Sequence, residues 1–323
     1  MSRAVLLPVA GGAAALLIVG FVIGAVGAAM LGRDAFLPVP QVHLAPQPIA
    51  CLGGTMAGTA CEGGFAVTNT LLSAWATTLV ILLVFVGGTR AMRLVPGRLQ
   101  SLIEMLIEAL YGFITSVAGE RNGRRFFPLL MTIFLFVAFN AWMALLPIYP
   151  SVGFTAPGAD HVTTHLFRSA GTDVNMPLAL ALVSFAFVEI WGLRVHGIGY
   201  LREFVRLGGL FGGLRRLNPG QIFYGLVDAA IGLLELLSHL IRLLSFTFRL
   251  FGNMLAGEIV LFMVTFLVIF LAPIAFYFLE ILVGGVQALI FTGLSLVFAV
   301  MAVAPHAAHD EEHHADAAHE AAR

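Results

Sequence analysis

Long apolar runs separated by short polar or basic stretches dominate this chain. Residues 4–31, 69–88, 126–147, 174–193, 221–271 and 273–303 are each long enough to cross a hydrocarbon core as helix. The pattern predicts an all-α polytopic membrane protein with about five or six membrane helices. Residues 99–118 read differently. Ile103, Leu106, Ile107, Leu110 and Ile114 recur at helical spacing, while Glu104 and Glu108 lie on another face. Two glutamates are expensive in lipid, so this is expected to be one amphipathic helix, lying on the inner surface or packed under the bundle. The run 221–271 contains no strong breaker. Its length as helix would be roughly 75 Å, at 1.5 Å per residue, against a core of about 30 Å. Splitting it would need a turn near 241–248, where there is no Gly, Pro, Asn or Asp. A long, steeply tilted helix is therefore expected, with Pro273 starting the returning helix of a C-terminal hairpin.

These elements divide the chain into three parts. Residues 1–68 hold the first hydrophobic segment, read either as an extra helix or as a signal peptide, and a Pro-, Gly- and Thr-rich outside loop. Residues 69–303 form the membrane domain. Residues 304–323, with five histidines among small and acidic residues, are expected to be a solvated, disordered tail rather than a metal site. His161 and His165 are likewise not expected to bind a metal, because no carboxylate pattern completes a site.

Charge gives the chain an orientation. There is no lysine, and the arginines cluster at 90, 93 and 98, at 121, 124 and 125, and from 194 to 216. The intervening loops carry only Arg33 and Arg168. The positive-inside rule puts the clusters in the cytoplasm, together with the C-terminus, and the loops at 33–68 and 149–171 outside. A composition of 59% hydrophobic and 11% charged residues excludes a soluble protein. Glu189 is close enough to Arg194 to reach the interface with it. Cys51 and Cys61 share the first outside loop, either as a disulfide or as two free thiols. No phosphate-cradling glycine loop ending in GK[ST] is present, so nucleotide hydrolysis by this chain is not expected.

The chemistry gathers in LELLSHLIRLLSFTFRLFGNMLAGE, residues 234–258. Glu235, Arg242 and Arg249 are spaced by seven and share a helix stripe that continues through Asn253. Arg249 stands among Leu243, Leu244, Phe246, Phe248, Leu250 and Phe251, and an ionisable residue in such surroundings marks a functional site. On the last helix Glu280, Gly284 and Gln287 share a face. Two antiparallel helices joined near residue 272 would bring both faces into one layer, giving a polar seam in an apolar protein. Carboxylates can take and release protons there, whereas a guanidinium cannot be deprotonated.

RLFGNMLAGE at 249–258 resembles the signature of subunit a of the rotary F-type ATP synthase. Glu235 fourteen residues before the arginine, TDVN at 172–175, and Glu280 and Gln287 on the last helix strengthen the resemblance, which covers 65–303. It implies a non-catalytic, proton-translocating stator subunit of the membrane sector in a bacterial plasma membrane, with a slanted C-terminal hairpin. The implied partners are a ring of c subunits, b-type peripheral stalk subunits and lipid. No cofactor, nucleic acid or small-molecule substrate is implied beyond protons, with sodium left open. Arg249 would separate two half-channels and attract the rotor carboxylate. Asn253, Glu258, Glu280 and Gln287, with Asp173 and Asn175 nearby, would line the outer half-channel; Glu235, with Ser238, would belong to the inner one. The family often has histidine at one of the two positions held here by Glu258 and Glu280, so two carboxylates sharing a proton are expected to replace a histidine relay. The alternative is a proton-coupled secondary transporter, a class that usually shows two related halves. No internal repeat is visible here.

Overall fold

The structure, a computed structural model, describes residues 3–37, 39–40, 45–57, 60–90, 92–155, 164–197 and 219–304. The expectations for the basic loop at 198–218, for His161 and for the tail after 304 lie outside the described residues. Five helices are long and apolar enough to cross a membrane. They lie in α3 (Asn69–Thr89), α4 (Arg98–Ala144), α6 (Asn175–His196), α7 (Pro219–Leu267) and α8 (Leu271–Val303). Ahead of them come α1 (Arg3–Ile23) and the short α2 (Ala25–Met30), and α5 (Ile148–Ser151) follows α4. The described chain forms two compact units. One draws on Met1–Ile107, Met131–Leu180 and Ser245–Thr292, the other on Glu108–Leu130, Ala181–Leu244 and Gly293–Arg323.

The boundaries follow the sequence signals. Thr68 caps α3 by accepting the Leu71 N–H on its hydroxyl at 3.2 Å. Within α4, Gly119 takes φ 74°, a left-handed conformation that favours glycine. The chain doubles back there. Tyr111 and Phe127 would be about 24 Å apart on a straight helix, yet their ring centroids are 5.3 Å apart, and the Tyr111 hydroxyl donates to Glu120. The amphipathic segment therefore ends at the expected place. Its Ile103, Leu110 and Ile114 are buried, while Glu104 and Glu108 are exposed.

The long helix is also as expected. The 49 residues of α7 make about 74 Å of helix, far more than an upright span needs. The hairpin turn falls slightly earlier than residue 272, at 268–270, where Phe270 takes φ 75°. Pro273 then sits in the first turn of α8, where its missing N–H breaks no helical bond.

The segment before α3 differs from the expected loop. Strand β1 (Pro48–Leu52) pairs antiparallel with β4 (Phe65–Thr68), and β2 (Thr55–Ala57) with β3 (Ala60–Glu62). Cys51 and Cys61 form a disulfide across this fold, which decides between the bonded and free alternatives. Strands of three to five residues carry too little alternation to be read from hydropathy. A second small pairing, β5 (Gly153–Phe154) with β6 (Thr164–His165), lies between α5 and α6.

In the first unit a buried asparagine organises the packing. Asn140 accepts the Gly171 N–H at 3.2 Å and the Ser169 hydroxyl at 3.4 Å, and donates to Thr77 at 3.4 Å. The Trp142 indole donates to the Ile281 carbonyl at 3.0 Å, tying α4 to α8. The N-terminal helix is docked by backbone. The Gly20 carbonyl accepts the Ile269 N–H at 3.2 Å, an approach only a residue without Cβ permits. In the second unit Phe126 packs edge-on against Phe187 and Trp191, and the Arg125 and Arg194 guanidinia lie over the Trp191 ring. Ser184 and Ser295 are joined at 2.6 Å.

Candidate functional site

Arg249 lies on α7 between buried Phe246 and buried Leu250. Its Nη2 reaches the Ser245 hydroxyl at 3.5 Å, one helical turn back, and its guanidinium lies 5.9 Å from the Phe246 ring centre. Among the described residues, no carboxylate forms an ion pair with it. A fixed cation held, among the described residues, by a hydroxyl and an aromatic face remains available to an outside anion. Gly252, one residue short of the next turn, has open space where a Cβ would stand.

One turn further, α7 meets α8. The Asn253 amide donates to Gln287 Oε1 at 2.6 Å, and Gln287 is almost fully buried at 2% exposure. The amide nitrogen of Gln287, Nε2, has no hydrogen-bond partner among the described residues. The seam read from the sequence is thus present at this level, with these two residues directly bonded.

Glu258 and Glu280 share a cavity of about 450 Å³ in the same unit. Glu280 approaches the α7 backbone so closely that a Cβ on Gly257 would overlap its carboxylate. Other walls of the cavity come from Arg168, His165, Tyr149 and Gln47. Arg168 is the element the sequence reading missed. Its Nη2 contacts Glu258 Oε2 at 3.4 Å, its Nη1 donates to the Ala45 carbonyl at 3.3 Å, and its side chain is only 9% exposed. The backbone N–H of Arg168 donates to Ser73, so the loop before α6 is pinned to α3. A lone arginine between Phe167 and Ser169, far from the basic clusters, was the available signal. Burial pushes the Tyr149 phenol above its ordinary value of 10.0. The Ser73 and Thr77 hydroxyls offset part of this, although neither reaches hydrogen-bonding geometry with it.

Asp173 and Asn175 do not line this cavity. Asp173 accepts the Thr70 hydroxyl at 2.8 Å and both the backbone and side-chain N–H of Asn175 at 3.1 and 3.0 Å. That arrangement satisfies the start of α6 and fastens it to α3. Their visible work is to fix the loop that carries Arg168.

Glu235 belongs to the second unit. There His239 is the centre: its Nδ1 bonds Glu189 Oε1 at 2.7 Å and its Nε2 lies 3.4 Å from Glu235 Oε1. Glu189 therefore faces α7, while Arg194 covers Trp191. Ser238 is exposed beside this cluster. His239 stands four residues after Glu235, a spacing that would have paired them on one helix face.

The chain is similar to known proteins over most of its length. The sequence profile of the family described as ATP synthase A chain matches residues 71–300. The ATP synthase subunit a of Desulfosudis oleivorans is 34% identical over 72% of this chain and 88% of its own length. The ATP synthase subunit a 3 of Pelobacter propionicus is 32% identical over 69% of this chain and 82% of its own. For the ATP synthase subunit a of Gloeobacter violaceus the values are 30%, 76% and 86%.

Proposed function

The chain belongs to the ATP synthase A chain family, and from that premise we propose that Arg249 is the fixed charge of a proton-translocating stator facing a rotor. The chain is a multi-pass membrane subunit and a component of the synthase rather than its catalytic part. Its partners are a ring of c subunits and the b-type peripheral stalk. It lies in a bacterial plasma membrane with its C-terminus in the cytoplasm, as the arginine clusters indicate.

The observation that carries this reading is the Arg249 guanidinium without a carboxylate partner among the described residues. A rotor carboxylate deprotonated in one half-channel is drawn to it, and leaves on taking a proton from the other. The attraction must stay moderate. Unit charges 4 Å apart interact by about 4 kcal/mol at an effective dielectric near 20, whereas one proton crossing 100 mV releases about 2.3 kcal/mol. A dry contact pair would hold the rotor, so the working encounter is bridged by water.

The outer half-channel is assigned to the cavity with Glu258 and Glu280 and to the Asn253–Gln287 pair, with Asp173 and Asn175 as its support. Glu258 and Glu280 act jointly in proton transfer, and Arg168 supplies Glu258 with a counter-charge. Glu235, with Ser238, belongs to the inner half-channel. Cysteine cross-linking in the assembled complex tests the docking face. A cysteine at Gly252 should cross-link to one beside the rotor carboxylate, whereas one at buried Leu250 should not. Cross-linking at 250 but not at 252 would place the rotor on another face.

A further inference from the structure

We propose that His239 is a proton-transfer residue that relays protons between Glu235 and Glu189. The proposal rests on the reading of this chain as a proton-translocating subunit and adds a site to it. Three observations carry it. First, the ring bridges carboxylates from two different helices, with Nδ1 2.7 Å from Glu189 and Nε2 3.4 Å from Glu235. Second, exposure changes along the series. The side chain of Glu235 is 52% exposed, that of Glu189 23%, and that of His239 only 8%. The ring is thus the buried step between two more accessible carboxylates. Third, the ring is held in place, with Phe185 edge-on to it at 6.1 Å.

An imidazole suits this position because it can accept at one nitrogen while releasing at the other. The Glu235 carboxyl gives its proton to Nε2 and becomes a carboxylate. The ring, briefly an imidazolium, gives its Nδ1 proton to Glu189, which becomes the neutral acid. The ring is left protonated at Nε2, and exchange of that proton for one at Nδ1 through water restores the starting tautomer. No other reactant is consumed.

On α7 the ring's ionisable neighbours are Glu235 and Arg242, whose guanidinium lies over Phe298 at 3.8 Å. On α6 the contact is Glu189, and among the described residues Arg194, over Trp191, and His196 stand further along that helix. The α8 segment 293–303 contains no ionisable residue. A purely structural histidine would need one acceptor to fix it. A carboxylate on each nitrogen is the arrangement a relay requires.

The test uses the whole complex in vesicles, with ATP synthesis driven by an imposed proton gradient and Arg249→Ala measured in parallel. His239→Gln keeps a side chain that can donate to a carboxylate but cannot pass a proton, and should lower synthesis at least tenfold in assembled complex. His239→Gly should be slow, and added imidazole should restore its rate several-fold. Glu235→Gln, altering the exposed end with little change in packing, should be slowed similarly and serves if the histidine variants do not assemble. A wild-type rate in His239→Gln, a lack of imidazole response in assembled His239→Gly, or a wild-type rate in Glu235→Gln would overturn the relay. If Arg249→Ala alone is inactive, only the relay falls; if Arg249→Ala is active, the underlying reading falls with it.

Discussion

The Asn253 amide donates to Gln287 Oε1 at 2.6 Å, joining the two helices of the C-terminal hairpin one turn beyond Arg249. Interhelical hydrogen bonds of this kind are worth roughly 0.6–1.7 kcal/mol in membranes. Gln287→Leu should lower the melting temperature of the solubilised complex by a corresponding amount and slow synthesis, because Asn253 loses the partner that orients it. Unchanged melting and rate would remove this bond from the account.

Arg168 and Glu258 should behave as a unit. Arg168→Leu leaves a largely buried carboxylate without its counter-charge, which costs about 3 kcal/mol, the lower end for a broken buried pair because Glu258 keeps one-fifth of its exposure. Adding Glu258→Gln should recover part of that loss. Thermal unfolding of the four members of the cycle measures the coupling. If the double variant is as unstable as the sum of the singles, the pair does not interact.

A related cycle addresses transport. Glu258→Gln and Glu280→Gln should each slow proton-driven synthesis without dissociating the complex, and together they should cost less than the sum, since both carboxylates open onto one cavity. Additive losses would mean that the two carry protons independently.

The disulfide admits a simple check. Cys51 and Cys61 should resist maleimide until a reductant is added. Replacing both by serine should loosen the 48–68 segment by about 2–3 kcal/mol, the loop-closure contribution of a short cross-linked loop. Limited proteolysis reads this as faster cleavage within the segment. Labelling without reductant would show free thiols.

The spans and the end of the amphipathic segment at 118 were legible because both rest on local period. The long unbroken helix was legible from what 241–248 lacks. The strands at 48–68 were not, since they are short and depend on a disulfide whose partners the sequence left open. Arg249, Asn253 and Gln287 could be placed on facing helices from spacing alone. The bond of Glu189 to His239 was not legible, because it is made across two helices separated by fifty residues. Arg168 was visible as an isolated charge, but its contact with Glu258 arises only when the loop before α6 is folded onto α3.

The most direct measurement concerns Arg249. Its relevant property is a permanent positive charge, and among the described residues no carboxylate neutralises it. Arg249→Lys keeps a charge but lacks the planar fork and can lose its proton when desolvated, so it should fail as well. The measurement is ATP synthesis by assembled Arg249→Ala complex in vesicles under an imposed proton gradient, recorded alongside passive proton leak. The account predicts that coupled synthesis is abolished, with the leak unchanged or raised. Near-normal synthesis in the alanine variant would contradict it, whatever the leak.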